Sequence, residues 1–207
     1  TFTADNQLIV LCIAPEANGG YWRLVPRLYK GSVDNWISGN YDELSKPIDQ
    51  DDGIEDYDFA RGQGYYSVSL AAHPTNKNEV YVGGINLFSS NQGGKDWGQL
   101  THQRGRYAQY LHADQHSVIF NKNDPSKILI GNDGGIGYKT VGDLLPRNNK
   151  FHTAQYYTVA VAPFGMFDDY TTIVSGFDKL VGSWDSSAEQ TVYTKETTIN
   201  GHIDVFA

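Results

Sequence analysis

The chain has 207 residues, a formal net charge of −8 and a pI near 5.1, a balance that excludes the basic face of a nucleic-acid binder and suits neutral or cationic ligands. Hydrophobic residues make up 40%, enough for a core, yet no run approaches the ~18 apolar residues of a membrane-spanning helix. Cys12 is the single cysteine, which excludes an internal disulfide and leaves the redox compartment open.

Fourteen Tyr and 22 Gly favour strands and tight turns over helices, and helical periodicity is nearly absent. In chain order, the apolar run Leu8 to Ala14 predicts a buried strand with Cys12 as a small core hydrophobe. Residues 49–58 hold six carboxylates and read as a solvated insertion. Loose Ca²⁺ binding is the alternative, although Gly53 would put position 1 of an EF-hand loop at Ile48, so that pattern fails. Next come two closely similar stretches, Ser69 to Gly83 and Ser117 to Gly131. Each reads as strand, polar turn, strand and glycine, and the two glycines (83 and 131) lie 48 positions apart. Asn, Lys and Pro in each turn close a hairpin. A third copy opens at Tyr156 to Pro163 and continues in Thr171 to Gly176, a less regular one lies in Leu8 to Pro15, and a fifth starts at His202 to Phe206.

Repeats of about 40 to 50 residues with four short strands each are the mark of propeller blades. The expected fold is therefore all-β: a partial β-propeller of about four four-stranded antiparallel blades in one domain spanning 1–207. The blades are expected at about 1–60, 61–108, 109–153 and 154–199, with another starting at 200–207. No signal peptide opens the chain and Phe206-Ala207 stops inside an apolar run. Both ends are expected to be cut from a longer protein, whose remaining blades would be a partner.

Leu87 to Trp97 resembles the Asp-box pattern Ser-x-Asp-x-Gly-x-Thr-Trp: Ser90, Gly94 and Trp97 match, with Gln92 and Asp96 at the two departures. The resemblance implies a structural role for these three residues at a blade rim. Leu28 to Trp36 reads as a shortened relative. The ordered phrases His112-Ala-Asp-Gln-His116, Gly131-Asn-Asp-Gly-Gly135 and Ala154 to Pro163 resemble those of secreted propellers of Bacteroidetes-type bacteria, described as sialidase-like or sortilin-like BNR-repeat proteins. That resemblance covers about residues 60 to 165. It implies export, often through type IX secretion, and display at the outer cell surface. A more distant likeness is to tandem-propeller xyloglucanases.

His112, Asp114 and His116 lead into a strand expected to be innermost in its blade. Alternation would place all three on one face, as a hydrogen-bonded structural network, a ligand site or, for two of them, a metal site. Asp133 sits in a Gly-rich turn, either capping backbone N–H groups or offering an acid opposed to His116. Tyr65-Tyr66 and Tyr156-Tyr157 precede or open inner strands, where they either wedge blades apart or stack on sugar rings. His202 and Asp204 open the last copy and join the ligand-binding candidates. Arg61, Arg104 and Arg106 lie in approach loops, without the spacing of a carboxylate clamp. No phosphate loop, Ser-His-Asp set or Cys-His zinc pattern stands in the sequence. Two functions fit: a surface-displayed module that binds glycan or protein at one propeller mouth, or a glycoside hydrolase with acidic residues there. The first is preferred because no spaced pair of carboxylates stands out as acid and base.

Overall fold

The computed structural model describes residues 1–18, 20–55, 58–148, 153–161 and 173–181, the last two segments as paired strands. The chain divides into two compact units, Thr1–Asn149 and Lys150–Ala207. Its described elements are mainly antiparallel sheets, so the all-β expectation holds.

In the first unit β1 (Leu8–Asn18), β2 (Tyr21–Gly31) and β3 (Asp42–Glu43) form a three-stranded sheet. A six-residue helix α1 (Val33–Ser38) follows β2, where a shortened copy of the turn pattern was expected. Ser32 starts it by accepting a hydrogen bond from the Asn35 N–H on its hydroxyl, and Gly39 ends it at a φ of 76°. Trp36 on α1 stacks on Tyr41 with 4.3 Å between ring centroids. Cys12 is only half-buried rather than in the core, and desolvation pushes its thiol pKa up.

The next sheet runs in the order β4 (Ser69–Ala72), β5 (Val80–Gly83), β6 (Leu87–Ser90) and β7 (Gly98–Gln99). A short parallel pair follows, β8 (Thr101–His102) with β9 (Gln109–Tyr110). A second four-stranded meander is then built from β10 (Gln115–Phe120), β11 (Ile128–Asn132), β12 (Gly135–Lys139) and β13 (Leu144–Pro146). The second unit contains an antiparallel pair, β14 (Thr153–Val161) and β15 (Ile173–Val181).

The two meanders repeat in register as well as in sequence. Ser69 pairs with Gly83, and Ser117 pairs with Gly131. In both, a Cβ on the glycine would run into the serine hydroxyl opposite, and at Gly83 it would also meet Gln115. The hairpin turns match too. The Asn121 side chain accepts hydrogen bonds from the N–H groups of Asn123 and Asp124. In the earlier copy His73 does this with Nδ1, accepting from Thr75 at 3.2 Å and Asn76 at 2.9 Å. An imidazole thus replaces an amide oxygen as the acceptor that closes the turn.

The middle sheet is buried on both faces. Val80, Val82 and Phe88 pack with Ile9, Leu28 and Phe59 of the preceding segments. Tyr81 and Leu87 pack on the other side with Leu111, Ile128, Ile130 and Leu144. Adjacent residues of a strand point to opposite faces, so Val-Tyr-Val must be apolar throughout to lie between two neighbours. Each fully buried valine contributes about 1.5–3 kcal/mol.

At the β6–β7 turn the Ser90 hydroxyl accepts hydrogen bonds from the N–H groups of Gln92 at 3.1 Å and Gly94 at 2.9 Å. Gly94 has a φ of 95° and lies against Leu44, which a Cβ would meet at 2.6 Å. Trp97 donates its indole N–H to the Ser45 carbonyl at 2.9 Å, tying this turn to the segment that leaves the first sheet.

The turn equivalence sets an expectation for His73. His73→Asn restores the acceptor used at Asn121 and should change stability by less than about 0.5 kcal/mol. His73→Ala removes it and should cost about 0.5–1.5 kcal/mol, read as a lower urea midpoint with an unchanged slope.

Candidate functional site

Three residues from separate loops meet at one end of the two meanders. Tyr66 lies just before β4, in a turn where the N–H groups of Tyr66 and Ser67 donate to the Gln63 carbonyl at 2.8 and 2.9 Å. Ser67 is fully buried, whereas Tyr65 and Tyr66 are 76% and 45% exposed, so the turn holds its aromatics outward. His116 lies at the start of β10. Asp114 adopts a φ of 67° and bonds the Ile85 carbonyl through its N–H, while the Gln115 N–H bonds the Gly84 carbonyl. The ladder shifts register between Gln115 and Ser117. Such a bulge re-aims a side chain, and His116 turns out to solvent beside the buried Gln115.

Asp133 stands in the β11–β12 turn. The Asn132 side chain accepts from the Gly134 N–H at 3.0 Å. Asn148 donates to the Gly134 carbonyl at 2.7 Å and accepts from the Ile136 N–H at 2.8 Å. The turn is therefore held by two asparagine amides. The Asp133 carboxylate reaches across. Its Oδ1 accepts the Tyr66 hydroxyl at 2.9 Å and the His116 Nε2–H at 2.6 Å. The Tyr66 and His116 rings meet edge to face at 4.9 Å. An ionised carboxylate only accepts hydrogen bonds, so the imidazole proton lies on Nε2.

Of the expected site residues, Tyr66, His116 and Asp133 thus converge. His112 and Asp114 do not extend a common strand face with His116. Asp114 is 7% exposed in a left-handed backbone conformation, which breaks the alternation before β10 begins. The His112 ring lies against Gly134, where a Cβ would collide with it, and its Nδ1 is 3.1 Å from the Ala113 carbonyl oxygen. Among the described residues no three His, Cys, Asp or Glu side chains gather as a metal site requires. Tyr157 falls on β14 at a shift of register between Tyr156 and Thr158. His202 and Asp204 lie outside the described residues.

A second polar cluster went unforeseen. The acidic segment 49–58, expected to be solvated, sends two carboxylates inward. Asp49 is 5% exposed. Arg61 grips both its oxygens through Nη2 at 2.8 Å and Oδ2 through Nε at 3.0 Å, and also donates to Asp51 at 2.8 Å. Asn86 adds a bond to Asp49 at 3.2 Å. Asp51 in turn accepts from Nε2 of the fully buried His102 at 2.8 Å. Desolvation would raise the Asp51 pKa, but the hydrogen bonds from His102 and Arg61 outweigh it and hold the carboxyl below its ordinary value. Arg61 is thus engaged within the fold and not offered to a ligand. The sequence signal was an Asp-x-Asp pair with one arginine ten residues on, which chain proximity alone does not separate from a solvated loop.

Because the Asp51 pKa is depressed, its contribution to stability is complete above the unfolded carboxyl value of about 3.9 and is lost as pH falls through the folded value. Arg61→Ala strands a buried Asp49 carboxylate and should cost about 3–5 kcal/mol at pH 7. The deficit should narrow between pH 7 and about pH 3, as the native chain loses the Asp51 contribution, which urea titrations of both chains at the two pH values would measure.

No protein-family model matches this chain, and no curated protein matches it.

Proposed function

We propose that the chain is part of a β-propeller exported to the bacterial cell surface, where it binds glycan or protein through the loops at one end of its blades. Several features support the blade reading. The 48-residue offset is kept in sequence, in register and in turn chemistry. The meanders stack face to face, and their first strands β4 and β10 lie side by side. The rim turn of Ser90, Gly94 and Trp97 uses its hydroxyl, glycine and indole as an Asp-box would.

The outer face of the β10–β13 sheet supports further blades. Ile119, Leu129 and Leu145 are 59%, 46% and 38% exposed and line up across its strands through Tyr138. The positions of Ile119 and Leu129 correspond to Ala71 and Tyr81 of the preceding sheet, both buried, and Tyr81 is covered by this sheet. Another sheet of the same repeat is the occupant this face fits.

The binding reading rests on the Tyr66–His116–Asp133 cluster. It combines exposed aromatic surface with a fixed carboxylate and an imidazole, the groups that stack on a sugar ring and bond its hydroxyls. Most glycoside hydrolases use two carboxyl groups about 5 to 9.5 Å apart, and the described cluster offers one, Asp133.

Glycan-array screening of the chain, followed by calorimetric titration of the best neutral oligosaccharide, tests this reading. Tyr66→Ala should weaken binding at least tenfold and shift the unfolding midpoint little, since the ring is exposed. Retained affinity in Tyr66→Ala and Asp133→Asn would move the ligand away from this cluster. Release of reducing ends from a bound oligosaccharide would support the hydrolase instead.

A further inference from the structure

One imidazole holds two backbone amides of the loop between β8 and β9. His102 is fully buried, and its Nδ1 accepts hydrogen bonds from the backbone N–H groups of Arg104 at 2.9 Å and Arg106 at 3.3 Å. An accepting ring nitrogen carries no proton, so the hydrogen of the neutral ring is on Nε2, where it meets Asp51 Oδ1 at 2.8 Å. The Tyr107 ring stands edge-on to the imidazole at 5.3 Å. The loop is also held at its ends, by the Gly105 N–H on the His102 carbonyl at 2.9 Å, by the Gln103 N–H on Asn86 and by the β8–β9 pairing. Tyr107 and Tyr110 are 51% and 41% exposed, and with Arg106 and Gln109 they line a shallow depression.

We propose that His102 is a proton-operated latch, holding the 104–108 loop closed when neutral and releasing it when protonated. A second proton has one place to go, Nδ1. There the new N–H would face two N–H donors and no acceptor, so both backbone bonds are lost together. The charges around the ring make the release one-sided. Asp51 bonds Nε2–H and keeps that side anchored in either protonation state. Arg61, shared between Asp51 and Asp49, offsets part of the negative charge that would favour the imidazolium. Asn86, which joins Asp49 to the Gln103 N–H at 3.0 Å, is neutral and does not titrate. From the loop side the ring meets Tyr107 and the backbone of Arg104 and Arg106. The ring thus stays on the acidic segment while the loop comes away, and the aromatic surface of Tyr107 becomes mobile under acid. The latch does not depend on the glycan-binding reading.

Amide hydrogen exchange on the ¹⁵N-labelled chain tests it. Corrected for intrinsic rates, the protection of the Arg104 and Arg106 amides should fall at least tenfold from pH 8 to pH 5, while the amides of β5 hold theirs. In His102→Asn, whose side-chain oxygen accepts but does not titrate, that fall should vanish. Unchanged protection in the native chain overturns the latch, as does an equal fall in His102→Asn. If that variant does not fold, the ring ¹⁵N shifts of His102 in the native chain decide. Ring protonation and loss of loop protection should share one midpoint, and midpoints more than about one pH unit apart overturn the proposal.

Discussion

The strand β5 has no solvent face, and the rest of the first unit follows from that. Val80 and Val82 must be covered from one side and Tyr81 from the other. A lone meander has nothing to offer on either side, so the preceding and following sheets are obligatory neighbours. This is the logic of repeat structures, in which a unit cannot bury its own apolar surface and is stabilised by the next. Stacking has a second effect. It brings turns that are distant in sequence to the same end of the assembly. Tyr66 and Asp133 are 67 positions apart yet share a hydrogen bond, because the sheets that carry them lie face to face.

Much of the fold was legible in the sequence, for a physical reason. A repeat declares itself twice, and the features that recurred at 48 residues were those with steric or hydrogen-bonding necessity: serine opposite glycine, the turn acceptor, the branched second strand. The helix α1 escaped because it is six residues long, too short to show a period, and depends on Ser32 and Gly39 as local caps. The bulge at His116 escaped for a related reason. Alternation assumes an unbroken ladder, and the left-handed Asp114 just before β10 is a backbone event that residue types do not announce.

The site was half legible. Tyr66, His116 and Asp133 were each singled out, but their meeting depends on sheet stacking and on the bulge. The Asp49–Arg61–Asp51–His102 cluster was read the wrong way round. Dense acid usually means solvation, because a buried carboxylate is costly without a partner. Here the partner is a single guanidinium bound to both oxygens of Asp49, the geometry that makes Arg the residue of choice for buried carboxylates.

Gly83 does more than make room for Ser69. A Cβ there would also come within 2.6 Å of the Gln115 Cβ and 3.0 Å of the Gln115 carbonyl oxygen of the following meander. The gap between consecutive sheets at this edge is therefore gauged by main chain against main chain, a distance that side-chain drift does not alter. Elsewhere the repeats differ freely, with Ala71 answering to Ile119 and Tyr81 to Leu129. The bare glycine lets them diverge in volume across the middle of the sheets while the approach of β5 to Gln115 keeps its spacing.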